Sequence, residues 1–164
     1  MKILALDQSL NTTGWAVFEN DKLLTYGTFT ISATRPIEER LHNIWKQINE
    51  LYATHEFEFL IFENIQQQHG NVETFKKLAY VQAALMLWCY NTDIKYKILA
   101  PSEWRKIITD NYGIKFGRAR KEQKENCMSF IQEKHKIECS EDESDAIALG
   151  TAGIIQMNKK ESAF

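Results

Sequence analysis

The chain has 164 residues, with 20 Lys and Arg against 22 Asp and Glu and a formal net charge of −2; that is one ordinary domain, or two only if both are minimal. With 44% apolar and 12% aromatic residues and two prolines, it can build a real core, which excludes a disordered chain. Its longest unbroken apolar run, residues 83–90, is far too short to span a bilayer, and the opening MKILALDQS carries no signal-peptide pattern, so a cytoplasmic protein that makes no use of a membrane is expected.

Lys2–Asp7 (KILALD) is a short, nearly continuous apolar run ending in an acid, the pattern of a central strand buried on both faces. Residues 14–19 and 22–29 are rich in Val, Trp, Phe, Tyr and Thr. Asn20-Asp21 between them predicts a hairpin turn. Pro36 marks a helix start, and Leu41, Ile44, Trp45, Ile48, Leu51 and Tyr52 form its apolar stripe. Residues 57–63 (FEFLIFE) predict a fourth strand, again ending in an acid.

Residues 72–90 predict a long helix whose second half, VQAALMLWCY, is apolar nearly all round. Such a helix is buried on more than one side, either deep in the core or against a second copy. A fifth strand is expected at 94–99, and Pro101 then opens a short helix carrying Trp104, Ile107 and Ile108. Residues 111–117 read as a loop and 118–136 as a helix with a basic first half. Ser140 and Glu143 form a capping box that opens a last helix to about Met157. A single domain over 1–157 with a frayed tail at 158–164 follows. The order βββαβαβααα predicts an α/β fold, an antiparallel meander continued by parallel strands through crossover helices.

The near-neutral total hides an uneven charge. From Arg105 to Lys124 there are seven basic residues (Arg105, Lys106, Lys115, Arg118, Arg120, Lys121, Lys124) against Asp110 and Glu122. Shortly after come Glu138, Glu141, Asp142, Glu143 and Asp145 against Lys136. A basic stretch suits a phosphate-rich partner and a tight acidic cluster suits a metal; either alone is equally a solvated helix face. Cys89, Cys127 and Cys139 have no CxxC spacing and the four histidines no HxxH or HExxH pairing, which excludes a structural zinc site and a disulfide framework.

Asp7 and Glu63 end two strands joined through a crossover helix, so both fall at the carboxyl edge of a parallel pair, where open α/β sheets place their sites. Asp142 and Asp145 are three apart in the first turn of the last helix and share a face. Singly, each strand-end acid reads as a turn residue, and the helix pair as a complement to the helix dipole. Together the four acids converge from distant segments. Two carboxylates ~4 Å apart repel by roughly 4 kcal/mol at an effective dielectric of 20, so such a cluster needs raised pKa values or divalent cations. Hard oxygen donors favour Mg²⁺ or Mn²⁺, and two such ions suit phosphodiester hydrolysis.

LALDQSLNTTGWAVF, LIFEN, APSEWRKII, the basic helix and DESDAIALG together resemble the RuvC family of Holliday junction resolvases, especially the short versions of lactococcal bacteriophages. The resemblance covers about residues 2–155. It implies an RNase H-like fold with a mixed five-stranded sheet flanked by helices, and a homodimer in a bacterial cytoplasm. The implied activity is Mg²⁺- or Mn²⁺-dependent endonuclease nicking of opposed strands, with two ions per site and no nucleotide cofactor.

By position, Asp7, Glu63, Asp142 and Asp145 match the family's metal-binding acids. Lys121, expected to be catalytic, and Arg105 fall where the family has basic residues near the scissile phosphate; the family residue at the Arg105 position is Lys, and Lys106 lies adjacent. Lys115, Arg118, Arg120 and Lys124 complete the expected DNA-binding set. The helix 72–90 corresponds to the family's dimer helix. One departure is Gln66, which stands where bacterial members carry an aromatic that stacks at the opened crossover. Stacking is worth ~1–3 kcal/mol per base, so relaxed specificity towards forks and flaps is expected, with Tyr112 and Phe116 open as substitutes or as core residues.

Two other readings remain. One is an RNase H-type enzyme on RNA–DNA hybrids, the other a junction-binding protein without catalysis. A resemblance of DQSLNTTG to the phosphate loop of sugar kinases and actin-like ATPases fails on length, since those need two such domains.

Overall fold

The computed structural model describes residues 1–66 and 71–161. In chain order the elements are β1 (Lys2–Asp7), β2 (Thr12–Glu19), β3 (Lys22–Thr30), α1 (Ile37–His55), β4 (Phe59–Glu63), α2 (Val72–Thr92), β5 (Lys95–Leu99), α3 (Pro101–Tyr112), α4 (Arg120–His135) and α5 (Glu141–Glu161). The strands form one mixed sheet in the order β3-β2-β1-β4-β5. β1, β2 and β3 pair antiparallel, while β1–β4 and β4–β5 pair parallel. The order and sense of the elements are as the sequence predicts.

Strand parity divides the core in two. Ile3 and Ala5 of β1, with Ala16, Phe18 and Ile61, pack under α3, α4 and α5. Leu4 and Leu6, with Val17, Leu60 and Phe62, pack on the opposite face against Ile44 and Ile48 of α1 and Leu85 and Trp88 of α2. Apolar side chains on both faces are what the continuous run KILALD requires.

α5 crosses the sheet over small residues. A Cβ on Gly150 would fall 2.4 Å from the Phe18 ring and 2.8 Å from Ala5, and one on Gly153 would fall 2.4 Å from Ile61. The closest approach is at the helix start. Gly14 is the register partner of Asp7 across β1–β2, and a Cβ there would lie 1.9 Å from the backbone oxygen of Asp142. The first turn of α5 is therefore seated on the end of β1.

Most boundaries shift by a residue or two from expectation, and three of the shifts bear on the packing. β4 begins at Phe59, because Phe57 turns into the core beside Trp88 (ring centroids 5.6 Å apart) and the Glu58 N–H donates to the Lys2 carbonyl at 2.8 Å. α4 begins at Arg120, after Gly117 at φ +86° and an extended Ala119. α5 continues past Met157 to Glu161; residues 162–164 of the expected tail lie outside the described residues.

The contact at Gly14 gives a sharp test. Gly14→Ala places a methyl against backbone that has no rotamer to yield, so α5 must lift at the site. Overpacking of this kind costs about 1–3 kcal/mol. The variant is expected to lower the midpoint of chemical unfolding and to abolish any chemistry that needs Asp7 and Asp142 together; a variant matching the parent in both would show that the helix start has slack.

Candidate active site

Parity sends Asp7 and Glu63 to the α5 side of the sheet, following Ile3 and Ala5 on β1 and Ile61 on β4. A side chain fixes the two strand ends to each other. Just beyond β1, Gln8 donates from Nε2 to the Glu63 carbonyl, while the Glu63 N–H donates to Gln8 Oε1 at 3.0 Å. The β1–β4 ladder is thus extended by an amide side chain, which holds both acids level.

α5 brings the other pair. The Ser140 N–H donates to Glu143 Oε2 at 2.7 Å and the Glu143 N–H to Ser140 Oγ at 3.3 Å, the reciprocal capping box expected from sequence. This sets Asp142 and Asp145 in the first turn, at the positive end of the helix dipole. Ser144 and Asp145 are buried. The Cys127 thiol donates to the Ser144 carbonyl at 3.6 Å, tying α4 to α5 beneath the site.

Electrostatic strain follows from the assembly. Burial, then Asp145 and Glu63, push the Asp7 carboxyl well above the usual carboxylate range, and Lys124 opposes them. Burial also raises Glu63, against the hydrogen bond it accepts at 2.7 Å from buried Trp104 Nε1. The Arg105 guanidinium lies 4.7 Å from the centroid of the Trp104 ring, stacked on the group that holds Glu63.

Lys124 Nζ is 2.7 Å from Asp145 Oδ2 and 3.7 Å from Asp142 Oδ1, with 18% of the side chain exposed. Burial works against its charge, but Asp145, with Asp7 and Asp142, outweighs that and holds the ammonium above its ordinary range. The ammonium thus neutralises part of the acidic cluster.

These residues fit divalent cations by donor chemistry and by charge. They are hard carboxylate oxygens, buried and crowded enough that Asp7 resists ionisation. Among the described residues, no three His, Cys, Asp or Glu are gathered closely enough to hold one ion as the side chains stand. An ammonium lies on the Asp142–Asp145 pair instead.

A groove of about 870 Å³ opens over the acids. It collects Asp7, Glu63, Asp142 and Asp145 and, of the residues expected to bind DNA, Gln66, Arg105, Arg118, Arg120 and Lys124. Lys106 does not line it and pairs with Asp110 at 2.8 Å. Lys115 does not line it either. Lys121, 86% exposed and 3.7 Å from Glu125, borders a smaller adjoining hollow with Arg120, Lys124 and Asp142.

Phe116 is buried edge-on to Trp104, with ring centroids 5.5 Å apart, so it belongs to the core. Tyr112 packs on Phe130 at 5.1 Å and does not line the groove. Gln67 and Gln68, which follow Gln66, lie outside the described residues. The groove does hold one aromatic the sequence reading passed over, Phe75 of α2, along with Lys77 and buried Arg40, whose guanidinium donates to the Leu10 carbonyl at 2.9 Å and to Asn11 Oδ1.

A family model described as crossover junction endodeoxyribonuclease RuvC matches residues 3–152. The chain belongs to the RuvC family. Relatives of that name include those of Finegoldia magna, 23% identical over 94% of this chain and 93% of the relative, and Ehrlichia chaffeensis, 30% identical over 91% and 93%. Among solved structures, Thermus thermophilus RuvC in complex with a Holliday junction substrate superposes with a TM-score of 0.76 at 14% identity, covering 96% of both chains. The Fowlpox virus resolvase in complex with Holliday junction DNA gives 0.61 at 16%, covering 96% of this chain and 99% of the other. The mixed five-stranded sheet with its flanking helices is thus the RNase H-like fold of RuvC. As a RuvC-family protein the chain is a hydrolytic nuclease for crossover junctions. Among the described residues no helix is long and apolar enough to cross a membrane.

Two predictions follow from the site's electrostatics. Trp104→Phe keeps an aromatic ring in the core, smaller than the indole, and removes the donor to Glu63; loss of such a supporting partner typically lowers metal affinity or activity ~10–100-fold, measurable as a rightward shift of the Mg²⁺ dependence of cleavage. The second concerns pH. A carboxyl whose folded pKa is raised contributes stability that is present below its unfolded value and lost as pH rises through the folded one. In EDTA the melting temperature should therefore fall as pH climbs from the ordinary carboxylate range through the raised values of Asp7 and Glu63. Asp7→Asn should flatten that slope and melt higher at neutral pH, by roughly 2–4 °C for each kcal/mol of repulsion relieved. A parent protein with no slope in EDTA would contradict the crowding.

Proposed function

We propose that two copies of this chain act on a four-way DNA junction, each nicking one of two opposed strands. The observation that carries this reading is the convergence of four acids from three segments beneath a groove lined by arginines. Asp7, Glu63, Asp142 and Asp145 would hold two Mg²⁺ ions, with Mn²⁺ as a substitute. When bound, such ions supply Lewis-acid stabilisation of the charge that builds on the scissile phosphate as water attacks. Gln8 and Trp104 fix the carboxylates that must receive the ions.

Arg105, Arg118 and Arg120 grip backbone phosphates, a contact that confers register without reading bases. Lys121 approaches the scissile phosphate only from the bordering hollow, after releasing Glu125. Lys106 and Lys115 meet flanking phosphates outside the groove. Phe75 is the aromatic placed to meet an unstacked base where Gln66 cannot, and a groove built from cations and one such ring accepts forks and flaps as well as junctions. The setting is the cytoplasm of a bacterial cell.

The second copy is supported by α2. Its inner face is buried, but Tyr80, Met86, Leu87 and Tyr90 remain exposed, Leu87 at 55% and Tyr90 at 84%. An apolar face of this kind marks an interaction surface. A two-fold pairing there matches the symmetry of the junction. The first turns of the same helix, with Thr74, Phe75 and Lys77, line the groove, so one rigid rod links the interface to the site.

The test compares a mobile four-way junction, a fork, a flap and an RNA–DNA hybrid, in Mg²⁺, in Mn²⁺ and in EDTA. Symmetric, ligatable nicks in the junction, dependent on Mg²⁺, are expected. Asp7→Asn is expected to retain junction binding while cleavage falls by ~10²–10³-fold, and binding by both should weaken steeply with salt. Cleavage of the hybrid alone would move the assignment to an RNase H-type enzyme, and binding without cleavage in either metal would leave a structure-specific binding protein.

A further inference from the structure

The sequence groups Lys124 with the phosphate-binding residues, but its ammonium faces inward to the acids. It is 2.7 Å from Asp145 and 3.7 Å from Asp142, a location where a cation bridging those two carboxylates would sit. The charges suit an exchange. Four carboxylates are fully neutralised by two divalent ions, which leaves the ammonium in surplus. With no divalent ion present, the same ammonium is what keeps Asp142 and Asp145 from repelling each other. Ammonium and metal compete for the same oxygens.

The displaced lysine has somewhere to go. Its four-carbon stem is flexible, and the groove wall around it carries Arg118, Arg120 and Gln123, the side that would face a bound phosphodiester backbone. We propose that Lys124 is the resident counter-cation of the acidic cluster, exchanged for divalent metal when a DNA phosphate takes up the ammonium. This rests on the metal-dependent reading above and adds a regulation to it. Metal and DNA then bind cooperatively, because each removes an obstacle to the other, and the coupling must be reciprocal. The free protein would hold metal weakly and the DNA-bound protein strongly, which confines a loaded nuclease site to the substrate complex.

The test measures Mn²⁺ binding to the full chain by electron paramagnetic resonance of the free ion. It uses the parent, Lys124→Gln and Lys124→Arg, each alone and with a four-way junction carrying phosphorothioate linkages at the exchange point. The parent should bind Mn²⁺ about tenfold more tightly with the junction than without it. Lys124→Gln should bind about tenfold more tightly than the parent when free and gain little from the junction. Lys124→Arg, which keeps the charge, should behave as the parent.

Melting curves give a second readout. Lys124→Gln should melt below the parent in EDTA and gain more from Mn²⁺. If the parent binds Mn²⁺ equally with and without junction, or if folded Lys124→Gln binds it no more tightly than the parent, the exchange is overturned while the metal site stands. If the parent binds no Mn²⁺ in either condition, the metal reading falls and the exchange with it. The parent's own measurement tests the proposal even if Lys124→Gln fails to fold.

Discussion

Mutual repulsion among four carboxylates is the constraint around which this fold is arranged. Two are delivered by adjacent strand ends and two by one helix turn, so none can relax away without breaking regular structure. Rigidity comes from backbone. Asp7 sits opposite Gly14 in the β1–β2 register, and only a residue without a Cβ allows α5 to settle there. Downstream, Gly150 and Gly153 keep α5 against the sheet, over Ala5, Phe18 and Ile61. The small residues along the helix and beneath it are therefore part of the site, although they hold no carboxylate themselves. Positive counterweights are sparse and graded: Lys124 in direct contact, Arg105 one ring away across Trp104, Arg118 and Arg120 on the groove wall. An unliganded site that is strained but held is characteristic of a fold that gives up stability for function.

The sheet separates two tasks by parity alone. Odd-numbered side chains of β1 carry the α5 side, ending in Asp7, and even-numbered ones carry the α1–α2 side. The acids and the exposed apolar face of α2 therefore lie on opposite sides of one sheet. They meet again only where α2 begins, because its first turns reach the groove while its later turns expose Leu87 and Tyr90. A change at the α2 face can therefore reach the site along a helix, without altering the strands that hold the acids.

Much of this was legible because it follows from period and order. KILALD ends in an acid, FLIFE ends in an acid, and a crossover joins them, so their convergence is a consequence of topology. The capping box placed Asp142 and Asp145 on one turn, and the geometry of Ser140 and Glu143 bears that out. What sequence could not set is the phase of one element against another. α4 begins at Arg120, two residues later than its basic pattern suggests, and its rotation about its axis decides which lysine faces in; that phase turns Lys124 towards the acids and leaves Lys121 in solvent. Trp104 reads as an ordinary apolar residue and Phe116 as either a stacking or a core residue, yet Trp104 carries an N–H that reaches Glu63 and Phe116 supports it edge-on. Gln8 gave no signal, since an amide that completes a ladder between two strands has no periodicity to betray it. The apolar second half of α2 left two fates open, and its exposed face answers that one side of it stays uncovered in the single chain.

The remaining physical problem is that a polyanion must be brought to a polyanionic site. DNA phosphates approaching four carboxylates add repulsion to repulsion, so cations must enter as the backbone does. The groove divides this need between fixed and exchangeable charge. Arginines on its wall are always ionised and suit phosphates bidentately, whereas divalent ions must be recruited, and an inward-facing lysine holds their place until they arrive. None of these groups reads a base. Selectivity for branched over linear DNA then has to reside in geometry, because phosphate contacts of this kind fix position without carrying sequence information.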